Sequence, residues 1–266
     1  MRHVLAAKQH SLLAAFASSN TLVAFDYDGT LAPIVDDPAG AGMRPRTRRL
    51  LARVAARYPT AIISGRGLRD LKATVGALRL AHLSGNHGIE PWGDRRAYAA
   101  RVRAWMPHLT RRLAAADGIA VEEKRYSVTV HYRQARRKRR ALRLIEEAAR
   151  ALRGARVFGG EYVVNIVPAG APDKGVALER ACARLGCDAA IYVGDDETDE
   201  HVFAAASDRP LLGVRVGRRR ASRAPYFLAR QDEIDAFLET LLRLRPARGR
   251  VGHTAARRPR QRRRVV

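Results

Sequence analysis

The chain has 266 residues, 47% of them hydrophobic, and a formal net charge of +24. That length allows two domains, and the apolar content supports a real core. No apolar run approaches the roughly 18 residues a membrane-spanning helix needs, and the two cysteines, five positions apart, match neither a metal spacing nor a disulfide framework.

Taken in chain order, Ser11–Ala17 reads as an amphipathic helix. Lys8-Gln9-His10 interrupts the apolar run that a signal peptide would require, so a cytoplasmic protein is expected. Thr21–Phe25 is a buried strand that runs into Asp26-Tyr27-Asp28-Gly29-Thr30. Side chains at i and i+2 of a strand point the same way, so Asp26 and Asp28 share a face, and Gly29 lets the chain bend behind them. A helix is expected over Arg46–Arg57. The strand Thr60–Ile63 ends in Ser64-Gly65-Arg66, and a strand follows at Leu80–Ser84.

The texture then changes. A helix over Tyr98–Ala115 should be interrupted or kinked by Pro107. Arg125–Tyr132 alternates, with Tyr126, Val128, Val130 and Tyr132 on one face and Ser127, Thr129 and His131 on the other, the pattern of a half-exposed strand. A helical pattern covers Gln134–Leu152. Arg156–Phe158 and Glu161–Val167 flank Gly159-Gly160, a hairpin signal. Core-like alternation resumes with Pro172-Asp173-Lys174-Gly175, which opens a helix over Lys174–Leu185. The strand Ala189–Val193 ends in Gly194-Asp195-Asp196-Glu197-Thr198-Asp199-Glu200, and a last strand covers Leu211–Val216.

Strands alternating with helices predict an α/β fold: a Rossmann-like parallel sheet with helices on both faces, carrying a smaller inserted α/β domain. The expected division is core at 1–98, insert at 99–169, core again at 170–244 and a basic, disordered tail at 245–266. Ligands of such sheets bind outside the carboxyl ends of the strands, where the four polar motifs fall. Paired carboxylates there suit an aspartate nucleophile beside an acid/base. Ser64, Gly65 and Lys174 can hold phosphoryl oxygens, the lysine adding its charge to a helix start. Five carboxylates, Asp26, Asp28, Asp195, Asp196 and Asp199, against the one lysine would repel a dianionic substrate, so a hard cation is required, and Mg²⁺ suits carboxylate oxygens. Each motif alone has a plain reading as a turn, a helix cap or a solvated helix start. Their order, each after a strand, is what that reading fails to explain.

This series resembles the haloacid dehalogenase superfamily of phosphohydrolases and, more narrowly, the trehalose-6-phosphate phosphatases. The matching stretches are Asp26–Ile34, Ser64–Arg66, Gly85–Glu90 (GNHGIE), Glu123-Lys124 with Ser127 and His131-Tyr132-Arg133, Asp173–Gly175 and Gly194–Glu200. They cover about residues 20–230. The resemblance implies Mg²⁺-dependent hydrolysis of trehalose 6-phosphate through an aspartyl-phosphate on Asp26, with Asp28 as acid/base. It implies Mg²⁺ on Asp26, the Asp28 carbonyl and Asp195, with Asp196 and Asp199 completing the set. It also implies a mobile cap, with Arg66, Asn86, His87, Glu123, Lys124, Ser127, His131, Arg133 and Asn165 reading the sugar. Asn165 stands where many members carry a glutamate. Other sugar phosphatases of the superfamily, acting on sucrose phosphate or a mannosyl-glycerate phosphate, are the alternative reading.

Charge points elsewhere. Ten arginines and no acid follow from Arg243 onward, and Arg136–Arg140 is a second basic run. A non-catalytic protein binding nucleic acid through these arginines is the reading from a different class. The tail has no interleaved aromatics to stack bases, and 45 arginines against five lysines read as compositional bias. A small sugar phosphate is therefore the expected partner.

Overall fold

The computed structural model describes residues 1–34, 42–92, 95–160, 162–205 and 207–245. Of the expected basic tail at 245–266, only Arg245 is among the described residues, where its guanidinium donates to the Ala17 and Arg57 carbonyls; the rest lies outside them. Eleven strands and eight α-helices are described. In chain order the strands are β1 (Arg2–His3), β2 (Thr21–Phe25), β3 (Thr60–Ile63), β4 (His82–Ser84), β5 (Ala120–Glu123), β6 (Val128–His131), β7 (Ala155–Gly160), β8 (Val163–Pro168), β9 (Ala189–Gly194), β10 (Leu211–Val216) and β11 (Tyr226–Leu228). The helices are α1 (His10–Ser18), α2 (Pro45–Ala55), α3 (Leu68–Val75), α4 (Arg95–Leu113), α5 (Lys138–Arg150), α6 (Lys174–Leu185), α7 (Glu200–Phe203) and α8 (Ile234–Leu244).

Seven strands form one sheet in the order β1-β11-β10-β9-β2-β3-β4, and every pairing in it is parallel. Its two faces are apolar for the reason the alternation gives. Val23 and Phe25 of β2 pack with Leu51, Val54, Phe237 and Leu241 from α2 and α8, while Leu22 and Ala24 pack with Ala177, Leu178 and Ala181 of α6. Helix α6 starts cleanly because Asp173 caps it, accepting from the Val176 N–H at 3.0 Å, and it stops at Gly186, which is left-handed. The central neighbours β2 and β9 therefore release Asp26 and Asp195 side by side at their carboxyl ends.

The second sheet is antiparallel, in the order β5-β6-β8-β7. One face is apolar and packs on α4 and α5: Val128, Val130, Val164 and Ile166 meet Trp105, Leu109 and Ile145.

Several expectations are corrected here. Helix α4 runs through Pro107 without a break. The proline removes only one N–H, and both Pro107 and Arg103, whose carbonyl loses its partner, lie on the exposed side. Helix α5 begins at Lys138, not Gln134, because the Ala135 N–H turns back to the Tyr132 carbonyl and Lys138 Nζ donates to the Arg133 and Ala135 carbonyls. Gly159-Gly160 is not the hairpin turn but the end of β7. A Cβ on Gly159 would stand 2.8 Å from Glu197 Oε2, and one on Gly160 would stand 3.1 Å from Asp196 Oδ2, so the glycines let β7 lie against the acidic turn. The strand at Arg125–Tyr132 is shorter than its pattern and not half-exposed: Ser127 and Thr129, on its polar side, are buried. That side faces protein polar groups instead of water.

Candidate active site

Asp26 is buried at the end of β2, and its Oδ2 accepts from Lys174 Nζ at 2.7 Å. The same ammonium donates to Asp199 Oδ1 at 2.8 Å, an oxygen that also accepts from the Tyr192 hydroxyl at 2.6 Å. Asp195, at the end of β9, accepts from Thr30 Oγ1 at 2.8 Å. One carboxylate oxygen from each of Asp26, Asp195 and Asp199 lies within 4.8 Å of the others. One lysine thus faces three carboxylates, two of them buried and the third, Asp195, partly exposed.

The electrostatics follow. Burial is the largest influence on Asp26 and raises it. Lys174 pulls it back, Asp199 pushes it up again, and it settles at about 8 instead of 3.8. Asp195 is driven well above the ordinary carboxylate range by burial and then by Asp26 and Asp199. Burial alone would lower Lys174, but the two carboxylates outweigh it, raise it and keep it charged. Such a set is short of positive charge. Its donors are all hard oxygens, so the residues fit a divalent cation of the Mg²⁺ type.

Not all five expected carboxylates join this set. Both oxygens of Asp28 accept from Arg66, and the Asp196 side chain caps the short turn at Glu197–Asp199 while Asp199 Oδ2 accepts from the Asp196 N–H at 2.9 Å. Asp196 therefore shapes the turn that aims Asp199. Arg215, on β10, fixes the same turn from below: it donates to the Asp195 and Asp196 carbonyls and pairs with Glu200 at 2.9 Å.

On the other side of Asp26, Ser64 is fully buried at the end of β3, its Oγ accepting from the Arg66 N–H at 3.2 Å. Gly65 is needed there: a Cβ would meet His87 Cε1 at 2.5 Å. Asn86 and His87 both adopt left-handed backbone, with φ of 50° and 57°. The turn is secured by Asn86 N–H to the Arg66 carbonyl and His87 N–H to the Ser64 carbonyl. The His87 ring is buried, and burial, then the nearby Lys174 and Lys124 charges, hold it well below its ordinary value. Its edge meets the ring of Phe158 on β7, which in turn meets His201.

The second sheet turns its polar face to this cleft. Ser127 Oγ donates to Asn86 Oδ1 at 2.7 Å, a direct bond from the residue before β6 to the turn after β4, and Asn86 Nδ2 donates to Glu90 at 2.7 Å. Thr129 Oγ1 donates to Asn165 Oδ1 at 2.9 Å. His131 and Lys124 both pair with Glu122, at 2.8 and 3.5 Å. The expected sugar residues Lys124, Ser127, His131 and Asn165 thus come together with Asn86 and His87. Glu123 does not. It pairs across the sheet with Val128, while Glu122 pairs with Thr129, and opposite residues share a face. Arg133 lies past the strand end, its guanidinium over the Tyr162 ring at 5.1 Å.

The family model for trehalose-phosphatase matches residues 24–232. The chain belongs to the trehalose-phosphatase family. It is 38% identical over 220 residues to a trehalose-phosphate phosphatase of Mycolicibacterium paratuberculosis, covering 75% of this chain and 55% of that protein. The chain thus spans about half the length of that relative. Its fold matches that of the C-terminal domain of a C. albicans trehalose-6-phosphate phosphatase with a TM-score of 0.74 at 24% identity, covering 88% and 96% of the two chains. A HAD subclass IIB sugar phosphatase superposes with a TM-score of 0.56 at 12% identity, covering 82% and 98%. The architecture is that of the HAD phosphatases.

Within this trehalose-phosphatase family member, four site residues escaped the sequence reading. Tyr192 and Arg215 looked like strand residues, and only the register across β2, β9 and β10 brings them under the acidic turn. Thr30 counted as turn composition. Glu122 could have been found: counting by twos from Lys124 puts it, not Glu123, on the lysine's face.

Proposed function

We propose that the chain is a Mg²⁺-dependent phosphatase that hydrolyses trehalose 6-phosphate to trehalose and phosphate. The observation that carries this reading is the trio Asp26, Asp195 and Asp199 around Lys174, at the ends of adjacent strands in a trehalose-phosphatase family member.

In this reading Asp26 is the nucleophile. Lys174 holds its Oδ2 and the Tyr27 N–H holds its Oδ1 at 2.6 Å, so the carboxylate presents one fixed orientation to an incoming phosphorus atom. Attack forms an aspartyl-phosphate as the ester bond to the sugar breaks. In the substrate complex Asp28 is held protonated, one oxygen still on Arg66; it gives its proton to the leaving sugar oxygen, then takes one from the water that cleaves the aspartyl-phosphate. Ser64, the Gly65 backbone and Lys174 steady the phosphoryl oxygens. Asp26, Asp195 and the Asp28 carbonyl would hold Mg²⁺, with Asp196 and Asp199 keeping those groups in place. Bound there, the ion would offset the carboxylate charge and polarise the phosphoryl group.

Residues 99–169 form, in the same reading, the cap that closes over the substrate. The Ser127–Asn86 bond and the Phe158 ring between His87 and His201 are its seat on the core. Glu122, Lys124, His131 and Asn165 line the sugar side, where a disaccharide offers hydroxyls to charged and amide partners.

The test is phosphate release from a panel of sugar phosphates, with and without Mg²⁺. Turnover of trehalose 6-phosphate well above sucrose phosphate or mannosyl-glycerate phosphate, abolished by Asp26→Asn and by chelation, is the expected result. Preference for another sugar phosphate would change the substrate assignment. Full activity of Asp26→Asn would overturn the mechanism.

A further inference from the structure

We propose that the cap carries a second anion site, a cavity that takes a small molecule bearing two or more phosphate or sulfate groups. The cavity has a volume of about 450 Å³ and is lined by Arg95, Arg96, Ala99 and Arg103 of α4 and by Arg125 and Tyr126 of the turn before β6. None of these residues takes part in the acidic cleft.

Four guanidinium groups border one cavity, and among the described residues none of the four forms an ion pair or donates a hydrogen bond through its side chain. Some arginines elsewhere find carboxylates, as Arg209 does with Glu179, Arg215 with Glu200, Arg219 with Glu197 and Arg230 with Asp232; what sets these four apart is that they gather around one cavity. Like charges gathered without a counter-charge repel, and a polyanion removes that repulsion.

Two further observations mark the cavity as built. Arg125 is held with φ of 66°, a left-handed backbone that is uncommon for a residue with a Cβ, and its guanidinium lies over the Tyr126 ring, 5.2 Å from the centroid. Tyr126 is 5% exposed and packs among Ile89, Ala99 and Val167, so the wall it gives the cavity is fixed in place. Guanidinium groups grip phosphate and sulfate oxygens in pairs. The cavity is of a size that suits a small ligand.

The experiment is isothermal titration calorimetry of the full chain with inorganic pyrophosphate, without added metal. Under those conditions the clustered carboxylates Asp26, Asp195 and Asp199 keep the acidic cleft hostile to the probe. One equivalent should bind at about 150 mM salt, where diffuse surface attraction is largely screened. Arg96→Ser/Arg125→Asn should weaken binding at least about tenfold, since each lost guanidinium removes charge-assisted bonds. Asparagine is chosen at 125 because it tolerates left-handed backbone. Arg95→Ser/Arg103→Ser, on the exposed side of a helix, should do the same and decides the matter should the first variant melt early. Arg139→Ser/Arg143→Ser, away from the cavity, should bind as the parent does. No binding by the parent, unchanged binding by both cavity variants, or equal weakening by the control pair would each overturn the site.

Discussion

Arg66 grips Asp28 with two nitrogens: Nε donates to Oδ2 at 2.8 Å and Nη2 to Oδ1 at 2.7 Å. Arg66 is itself 9% exposed and donates a third time, through Nη1, to Asp70 at 3.1 Å. Asp28 is therefore aimed by a group that cannot wander. A lysine carries the same charge but cannot make the planar fork. Arg66→Lys is expected to lower kcat on trehalose 6-phosphate by about a hundredfold, the size of effect a misplacement of about 1 Å can have. Rates within twofold of the parent would mean that Asp28 needs no such guide.

The buried carboxylates make stability depend on pH in a defined direction. Asp26 stands at about 8 in the folded protein and near 3.8 when unfolded. Between those values the folded state binds more protons than the unfolded state, so stability falls as pH rises through the window. In metal-free protein the melting temperature should decline from pH 5 to pH 8 more steeply than in Asp26→Asn, which lacks this group. Mg²⁺ should raise the melting temperature at pH 8 and matter least at pH 5, where protons already fill the cation's place. Parallel pH profiles for the two proteins would show that Asp26 is not proton-linked to folding.

Glu122 and Glu123 differ by one position and a whole face. Glu122 accepts from His131 and Lys124; burial would raise it, and these two partners outweigh burial and hold it below the ordinary value. Glu122→Gln is expected to raise KM for trehalose 6-phosphate by about tenfold, the cost of one charged hydrogen bond, while Glu123→Gln leaves it unchanged. Turnover of p-nitrophenyl phosphate, which carries no sugar to read, should be the same in both. An equal rise in KM for the two variants would place the sugar elsewhere.

What the sequence made legible was whatever depends on short range. The strands that deliver Asp26, Ser64 and Asp195 stood out because each is an apolar run cut off by a polar turn. The short strands β1 and β11 did not, because two or three residues are too few to show a period. The polar side of β6 read as solvated because alternation reports only that one side is not apolar. Whether that side meets water or the Asn86 turn is decided by residues 41 positions apart. Glycine posed the same problem. Gly159-Gly160 has the composition of a turn, and only the approach of Asp196 and Glu197 explains two glycines inside a strand. Tyr192 and Arg215 were hidden for a related reason: their roles exist only once three strands are in register.

Gly29 gives the sharpest test of the acidic cleft. Its φ is 79°, and a Cβ built there would lie 2.0 Å from Asp195 Oδ2 and 2.4 Å from Asp195 Cγ. Asp195 has little freedom to retreat, because Thr30 holds its Oδ1 and Arg215 holds its carbonyl. Left-handed backbone at a residue with a Cβ adds a cost of about 1–2 kcal/mol. Gly29→Ala should thus lower the melting temperature and, by pushing Asp195 out of line with Asp26, depress kcat by about two orders of magnitude or more. The readout that separates the two effects is Mg²⁺ itself: excess metal should restore stability only weakly, because the displaced carboxylate is one of those that would hold the ion. A variant that melts lower yet gains as much from Mg²⁺ as the parent would show that Asp195 is not part of the cation's seat.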